Sequence, residues 1–163
     1  MLFRSQRLAI QGILYLRWKL SDRSRRDHRN EPSAAAGFRD AEHVEGTCDY
    51  VNDNWGKSPL HLASYVMWRL NWIHPFTGGN GRTSRAVSYL VLCARLGYRL
   101  VGTNTIPEQI VANREPYYSA LDAADLTGNI DVTLMEALLE WMLAVQLSSV
   151  LADASARVPP PAR

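Results

Sequence analysis

Between Ser58 and Gly97 the sequence starts a helix, stops it and starts another within a few residues. Ser58 offers a hydroxyl to cap a helix, and Pro59 needs no amide hydrogen in the first turn. Leu60, Ala63, Met67 and Leu70 follow at three- and four-residue steps, which makes one apolar stripe. A further step of four reaches His74. Pro75 cannot extend the ladder, so His74 is expected at the helix end, facing inward and held by packing. Thr77-Gly78-Gly79-Asn80-Gly81 reads as a turn, and Arg82 to Leu96 as a second helix stopped by Gly97. The turn therefore feeds a helix N-terminus.

Composition limits what surrounds this pair. With 163 residues, 47% of them hydrophobic, the chain has material for one domain with a real core. Its 18 basic and 16 acidic side chains nearly cancel, so a polyanion is not attracted at long range and any phosphate site must be local. Cys48 and Cys93 lack CxxC spacing, which argues against a disulfide frame or a zinc knuckle, and a reducing cytoplasm fits best. Leu8 to Leu16 is interrupted by Gln11, is followed by Arg17 and Lys19, has no small-residue cleavage site and is too short to span a bilayer. No membrane association is expected.

The other segments read as follows. Leu2 to Leu20 is helical and Ser21 to Gly37 is a polar loop. In that loop Arg23, Arg25, Arg26 and Arg29 alternate with Asp22, Asp27 and Glu31 without interleaved aromatics, so a solvated loop is expected and not a nucleic-acid surface. Phe38 to Val51 has Gly46 midway, with β-compatible His43 and Val44 before it and Tyr50 and Val51 after it, and is expected to form a short hairpin. Thr105 with Glu108 predicts a capping box for a helix to about Leu126. Thr133 with Glu136 predicts another, for a last helix ending near Ala152. The expected class is mainly α, with four or five helices and one hairpin. Residues 1–37 form the N-terminal helix and loop, 38–152 the core, and 153–163 a disordered tail containing Pro159-Pro160-Pro161.

The chemistry concentrates between His74 and Arg85. Gly79 and Gly81 let backbone amides approach a phosphate, and the helix that follows adds unpaired N–H groups and a positive dipole end. Arg82 and Arg85, three apart, can bracket phosphate oxygens on one side of the first turn, and Asn80 can add an amide donor. His74 carries an imidazole, the side chain able to take a proton from an attacking hydroxyl near neutrality. Base plus cradle points to phosphoryl or nucleotidyl transfer. A P-loop is excluded, because Phe76 stands where its first glycine belongs and Arg82 where its lysine belongs. A dinucleotide fingerprint is excluded by Ser84 at its third glycine position. Taken singly, each part has a plainer reading: a packed helix-end histidine, a simple turn, a solvated arginine face.

Taken together, His74-Pro75-Phe76-Thr77-Gly78-Gly79-Asn80-Gly81-Arg82-Thr83-Ser84-Arg85 resembles the Fic family signature HPFx(D/E)GNGRxxR, departing from it at Gly78. Ala36-Gly37-Phe38-Arg39 is similar to the start of that family's flap, and Ala112-Asn113-Arg114-Glu115-Pro116-Tyr117-Tyr118 to its downstream helix motif. The resemblance implies a helical Fic core with a hairpin flap over the site. It implies ATP as co-substrate, with AMP moved to a Ser, Thr or Tyr hydroxyl of a target protein. It makes His74 the general base, Asn80, Gly81 and Arg82 the anion hole, and Arg85 the holder of the outer phosphates. Gly79 and Thr83 fall within the same nucleotide-binding run. Tyr117 and Tyr118 are implied near the adenosine. His43, Val44, Glu45 and Gly46 are implied in the flap, over the nucleotide and paired with the target's backbone. At Gly78 the signature has a carboxylate for Mg²⁺, so the resemblance implies a weakly held metal and reduced activity here. The family's restraining string (S/T)xxxE(G/N) is not found, which implies restraint by a partner or by residues before Met1. Two alternatives stay open: a nucleotide-binding scaffold without efficient transfer, and transfer of another phosphate-containing group.

Overall fold

A computed structural model describes residues 34–76, 78–126 and 128–156, with side chains from Ala41 onward. The expected helix Leu2–Leu20, the polar loop up to residue 33 and the tail from residue 157 lie outside these residues, whereas 34–37, expected as loop, and 153–156, expected as disordered tail, are helical. All regular structure among the described residues is helical: α1 Ala34–Asp53, α2 Pro59–Ile73, α3 Asn80–Leu96, α4 Ile106–Ala112, α5 Glu115–Leu126 and α6 Thr133–Ala156. The contacts fall into two compact units, one ending at Gly97 and the other starting at Tyr98.

The hairpin expected between Phe38 and Val51 is not there; α1 occupies that stretch. Val44, Thr47, Cys48 and Val51 are all buried, at steps of three and four that make a helical seam. The seam is hidden in the sequence because Thr47 looks polar. In the helix its Oγ1 donates to the His43 carbonyl at 2.8 Å, which satisfies the hydroxyl locally. Gly46 is exposed, and a Cβ added there meets nothing within 4 Å, so it is a tolerated helix glycine and not a turn.

Helix α1 lies antiparallel to α2, since His43 meets Trp72 edge to face at 5.3 Å while Tyr50 stacks on Tyr65 at 3.8 Å. The Ser58 side chain caps α2 by accepting the His61 amide at 3.0 Å, with Pro59 in the first turn as predicted. Every residue from Leu62 to Trp68 is buried, together with Leu70 and Ile73. This makes α2 the central helix of its unit and not a one-sided stripe. Helix α3 returns antiparallel to it. Ser88 Oγ donates to the Ala63 carbonyl at 2.8 Å, and Arg95 Nη2 to the Lys57 carbonyl at 3.1 Å. The predicted stop at Gly97 is a left-handed cap, φ 84°, whose amide bonds the Cys93 carbonyl at 3.0 Å.

In the second unit, the Glu108 carboxylate accepts both the amide and the hydroxyl of Thr105, at 2.7 and 2.8 Å, and so starts α4. The single helix expected from there to Leu126 is two. Pro116 at the second position of α5 forces a fresh start, and Asn113 is extended, with φ −142°. Helix α6 is capped by Asp131, which accepts the Thr133 amide at 3.1 Å and hydroxyl at 2.7 Å, in place of the predicted Thr133–Glu136 box. Buried Gln146 and Gln109 tie α6 to α4. Gln146 Oε1 accepts the Ile106 amide at 3.3 Å, and Gln109 Nε2 donates to the Met142 carbonyl at 2.9 Å. Among the described residues α6 is the helix long and apolar enough to cross a bilayer by length and composition, a test that a core helix also passes.

Candidate active site

The loop between α2 and α3 is shaped by its own residues. Pro75 disfavours a right-handed helical conformation at the residue before it, and His74 adopts φ 53° and ψ 49°, a left-handed cap rare outside glycine. Strain of this kind is tolerated where surroundings fix it, and it gathers at functional sites. The turn carries the His74 side chain outward: it is exposed, against the expectation that packing would hold it inside. A hydrogen bond holds it instead, from Nδ1 to the Asn71 carbonyl at 2.9 Å. A carbonyl can only accept, so Nδ1 carries a proton, and in the neutral ring Nε2 then keeps the lone pair. That is the tautomer a general base needs.

Asn80 closes the loop. Its Oδ1 accepts the Phe76 amide at 2.9 Å and its Nδ2 donates to the Phe76 carbonyl at 2.7 Å. The carboxamide is buried, so part of the donor capacity expected for an anion is spent on shaping the turn. Gly79 is the N-cap of α3 at φ 77°, and no side chain caps the helix. The first bonded amide is that of Thr83, to the Gly79 carbonyl at 2.9 Å. The amides of Asn80, Gly81 and Arg82 therefore have no partner within the helix, the arrangement that receives anions.

The arginines fold over the glycines. A Cβ on Gly79 would lie 3.3 Å from Arg82 Nη2, and one on Gly81 would lie 3.3 Å from Arg85 Nη1. The glycines thus leave room for both guanidinium groups beside the open amides. Arg82 is exposed and Arg85 half-buried, so both reach solvent, while Thr83 is buried beneath. The sequence has no Asp or Glu between Asp53 and Glu108, so no carboxylate from within the α2–α3 pair competes for these cations.

Gly78 is exposed and has no side-chain oxygen to offer a metal. Among the described residues no three His, Cys, Asp or Glu side chains converge as a metal would need. The described residues therefore offer no protein-held set of ligands for a divalent cation.

The four residues expected over the nucleotide as a flap stand on α1. His43 is half-buried against Trp72, Val44 is buried, and Glu45 and Gly46 are exposed. As part of a helix, these four residues present no free strand edge for a target backbone to join. Tyr117 is buried within the second unit and Tyr118 is exposed, their rings 5.6 Å apart.

Two residues escaped the sequence reading. Asn71 Nδ2 donates to Ser84 Oγ at 2.8 Å and to the Met67 carbonyl at 2.7 Å. Ser84, fully buried, donates to the Gly81 carbonyl at 3.1 Å. A signal for them existed: Asn71 interrupts an apolar helix three residues before His74, and Ser84 stands between the two arginines.

A profile of the Fic/DOC family matches residues 4–92, more than half of the chain. The chain belongs to the Fic/DOC family. It is 33% identical over 87 residues to "Protein adenylyltransferase fic-1" of Caenorhabditis briggsae, a match covering 52% of this chain and 16% of that protein. It is 38% identical over 79 residues to "Protein adenylyltransferase Fic" of Drosophila willistoni, covering 47% and 14%. Against the protein of the same name in Drosophila persimilis it is 42% identical over 67 residues, covering 41% and 12%. The chain thus spans less than a fifth of the length of these relatives. No solved structure matches it significantly.

Proposed function

We propose that this chain is a protein adenylyltransferase, moving AMP from ATP to a Ser, Thr or Tyr hydroxyl of a target protein. The observation that carries the reading is the committed tautomer of an exposed His74 at the end of α2, next in the chain to a loop whose open amides are flanked by Arg82 and Arg85. Family membership and the printed names of the relatives support it.

In the proposed reaction the ATP phosphates lie on the amides of Asn80, Gly81 and Arg82, with the two guanidinium groups taking up the charge that develops on the phosphate oxygens. Nε2 of His74 takes the proton from the target hydroxyl as its oxygen attacks the α-phosphorus. The new O–P bond joins AMP to the target, and the bond to the bridging oxygen breaks, releasing pyrophosphate with the electron pair. Asn80 keeps the loop in shape throughout. Residues 43–46 offer the target no flap strand, since α1 is helical there.

The test separates binding from transfer. His74→Ala is expected to bind ATP with affinity close to that of the parent in calorimetry while losing about 10²-fold or more of its transfer rate. Equal loss of both would take the base role away from His74. A second reading, a nucleotide-binding scaffold, is favoured by the absence of any carboxylate between Asp53 and Glu108. It predicts that the parent binds ATP and transfers nothing.

A further inference from the structure

Resting on the adenylyltransferase reading, we infer that Asn71 is a positioning residue that, through Ser84, locks the base and the phosphate cradle into one register. One residue touches both halves of the site. Its backbone carbonyl accepts His74 Nδ1 at 2.9 Å, which fixes the tautomer. Its side chain donates to Ser84 Oγ at 2.8 Å, and Ser84 donates onward to the carbonyl of Gly81, a residue whose own amide is open to a phosphate. The second hydrogen of Nδ2 goes to the Met67 carbonyl one turn back, so the carboxamide is held from both sides.

Neither residue is placed there by helix preference. Asn and Ser are both weaker helix formers than Ala or Leu because they compete for backbone hydrogen bonds. Ser84 is fully buried, where a hydroxyl without a partner would be costly, and its partners are the Asn71 amide and the first turn of α3. The link ties α2 to α3 close to where His74 turns into the loop. The bond from Ser88 to the Ala63 carbonyl lies about two turns further from the site along α2 and about one along α3. Misplacement of a base by about 1 Å can cost about 10²-fold in rate, so a tie of this kind acts on the chemical step more than on binding.

The experiment compares the parent with Asn71→Ala, Ser84→Ala and the double variant, each checked by circular dichroism. Ser84→Ala, which deletes one atom, serves as the fold-conserving arm. The expected result is a kcat lowered about 10- to 100-fold in each single variant, with KM for ATP within about twofold. The double variant is expected to be no slower than the worse single, because both remove the same link. Nitrogen-15 spectra of the imidazole are expected to show a single Nδ1–H form in the parent and a mixture of tautomers in the variants. A kcat unchanged in folded variants, or effects that simply multiply in the double variant, would overturn the inference. If the parent binds ATP but transfers nothing, the adenylyltransferase reading fails while the tautomer spectra still decide the link: a single form in parent and variants alike overturns it.

Discussion

The glycines of the loop differ from one another, and the difference is testable. At Gly78 the backbone is outside the left-handed region and an added Cβ meets nothing within 4 Å. Gly78→Asp is therefore expected to melt within about 0.5 kcal/mol of the parent, as surface substitutions usually do. If the metal ligand is all that this turn lacks, the variant transfers AMP faster and with steeper Mg²⁺ dependence. A folded variant that binds ATP and gains nothing would favour the scaffold. At Gly79 the same chemistry meets a φ of +77° and the Arg82 guanidinium at 3.3 Å. Gly79→Ala is expected to cost about 1–2 kcal/mol in thermal unfolding and to weaken ATP binding by displacing Arg82. His74, Gly79, Arg82 and Arg85 could be picked out of the sequence because their spacing in one short run carries the signal. Asn71 and Ser84 stand out in the sequence only as polar residues in unexpected places, because their meaning lies in a contact across 13 residues and two helices.

Among the helices, α1 shows how a local reading goes astray. Val44 and Val51 suit a strand as well as a helix, and Gly46 suits a turn, so only burial of Thr47 and Cys48 on the same face reveals the period. Gly46→Ala is expected to stabilise the chain by up to about 1 kcal/mol in chemical denaturation, since a helix prefers alanine. A hairpin turning at Gly46 would instead be weakened. The caps of α4 and α6 predict a response to acid. Hydrogen bonds from the Thr105 amide and hydroxyl hold the Glu108 carboxyl below its usual range, and those from the Thr133 hydroxyl and amide do the same for Asp131. A lowered folded-state value gives stability that is present above the unfolded value and lost as pH falls through the folded one. Helicity followed by circular dichroism should therefore decline as pH drops below the ordinary carboxylate range, and Glu108→Gln with Asp131→Asn should remove much of that dependence. The starts of α2 and α4 were visible because caps are local. The division of α4 from α5 is not legible in the same way, because a capping box marks where a helix starts and not where it ends.

For the whole molecule, the free thiols bound its behaviour in alkali. Burial pushes Cys48 up from 9.0 to about 11, with the neighbouring Asp49 and Glu45 charges adding to it. The unfolded thiol ionises first, so stability is expected to fall as pH rises from about 9 towards 11, and Cys48 should resist alkylation in the folded protein at neutral pH. The helix–loop–helix site and the core of the family signature followed from residues 58–97, where the signals are dense, and the mainly helical class from the helices expected along the whole chain. The match to the named adenylyltransferases covers 12–16% of their length, so the reaction itself must be measured on this chain. The most direct measurement incubates the protein with target lysate and ATP labelled in the α- or the γ-phosphate. The account predicts α-label retained on protein hydroxyls, γ-label released as pyrophosphate, and no retained label with His74→Ala. Retention of γ-label, or no label from a parent protein that binds ATP, would contradict it.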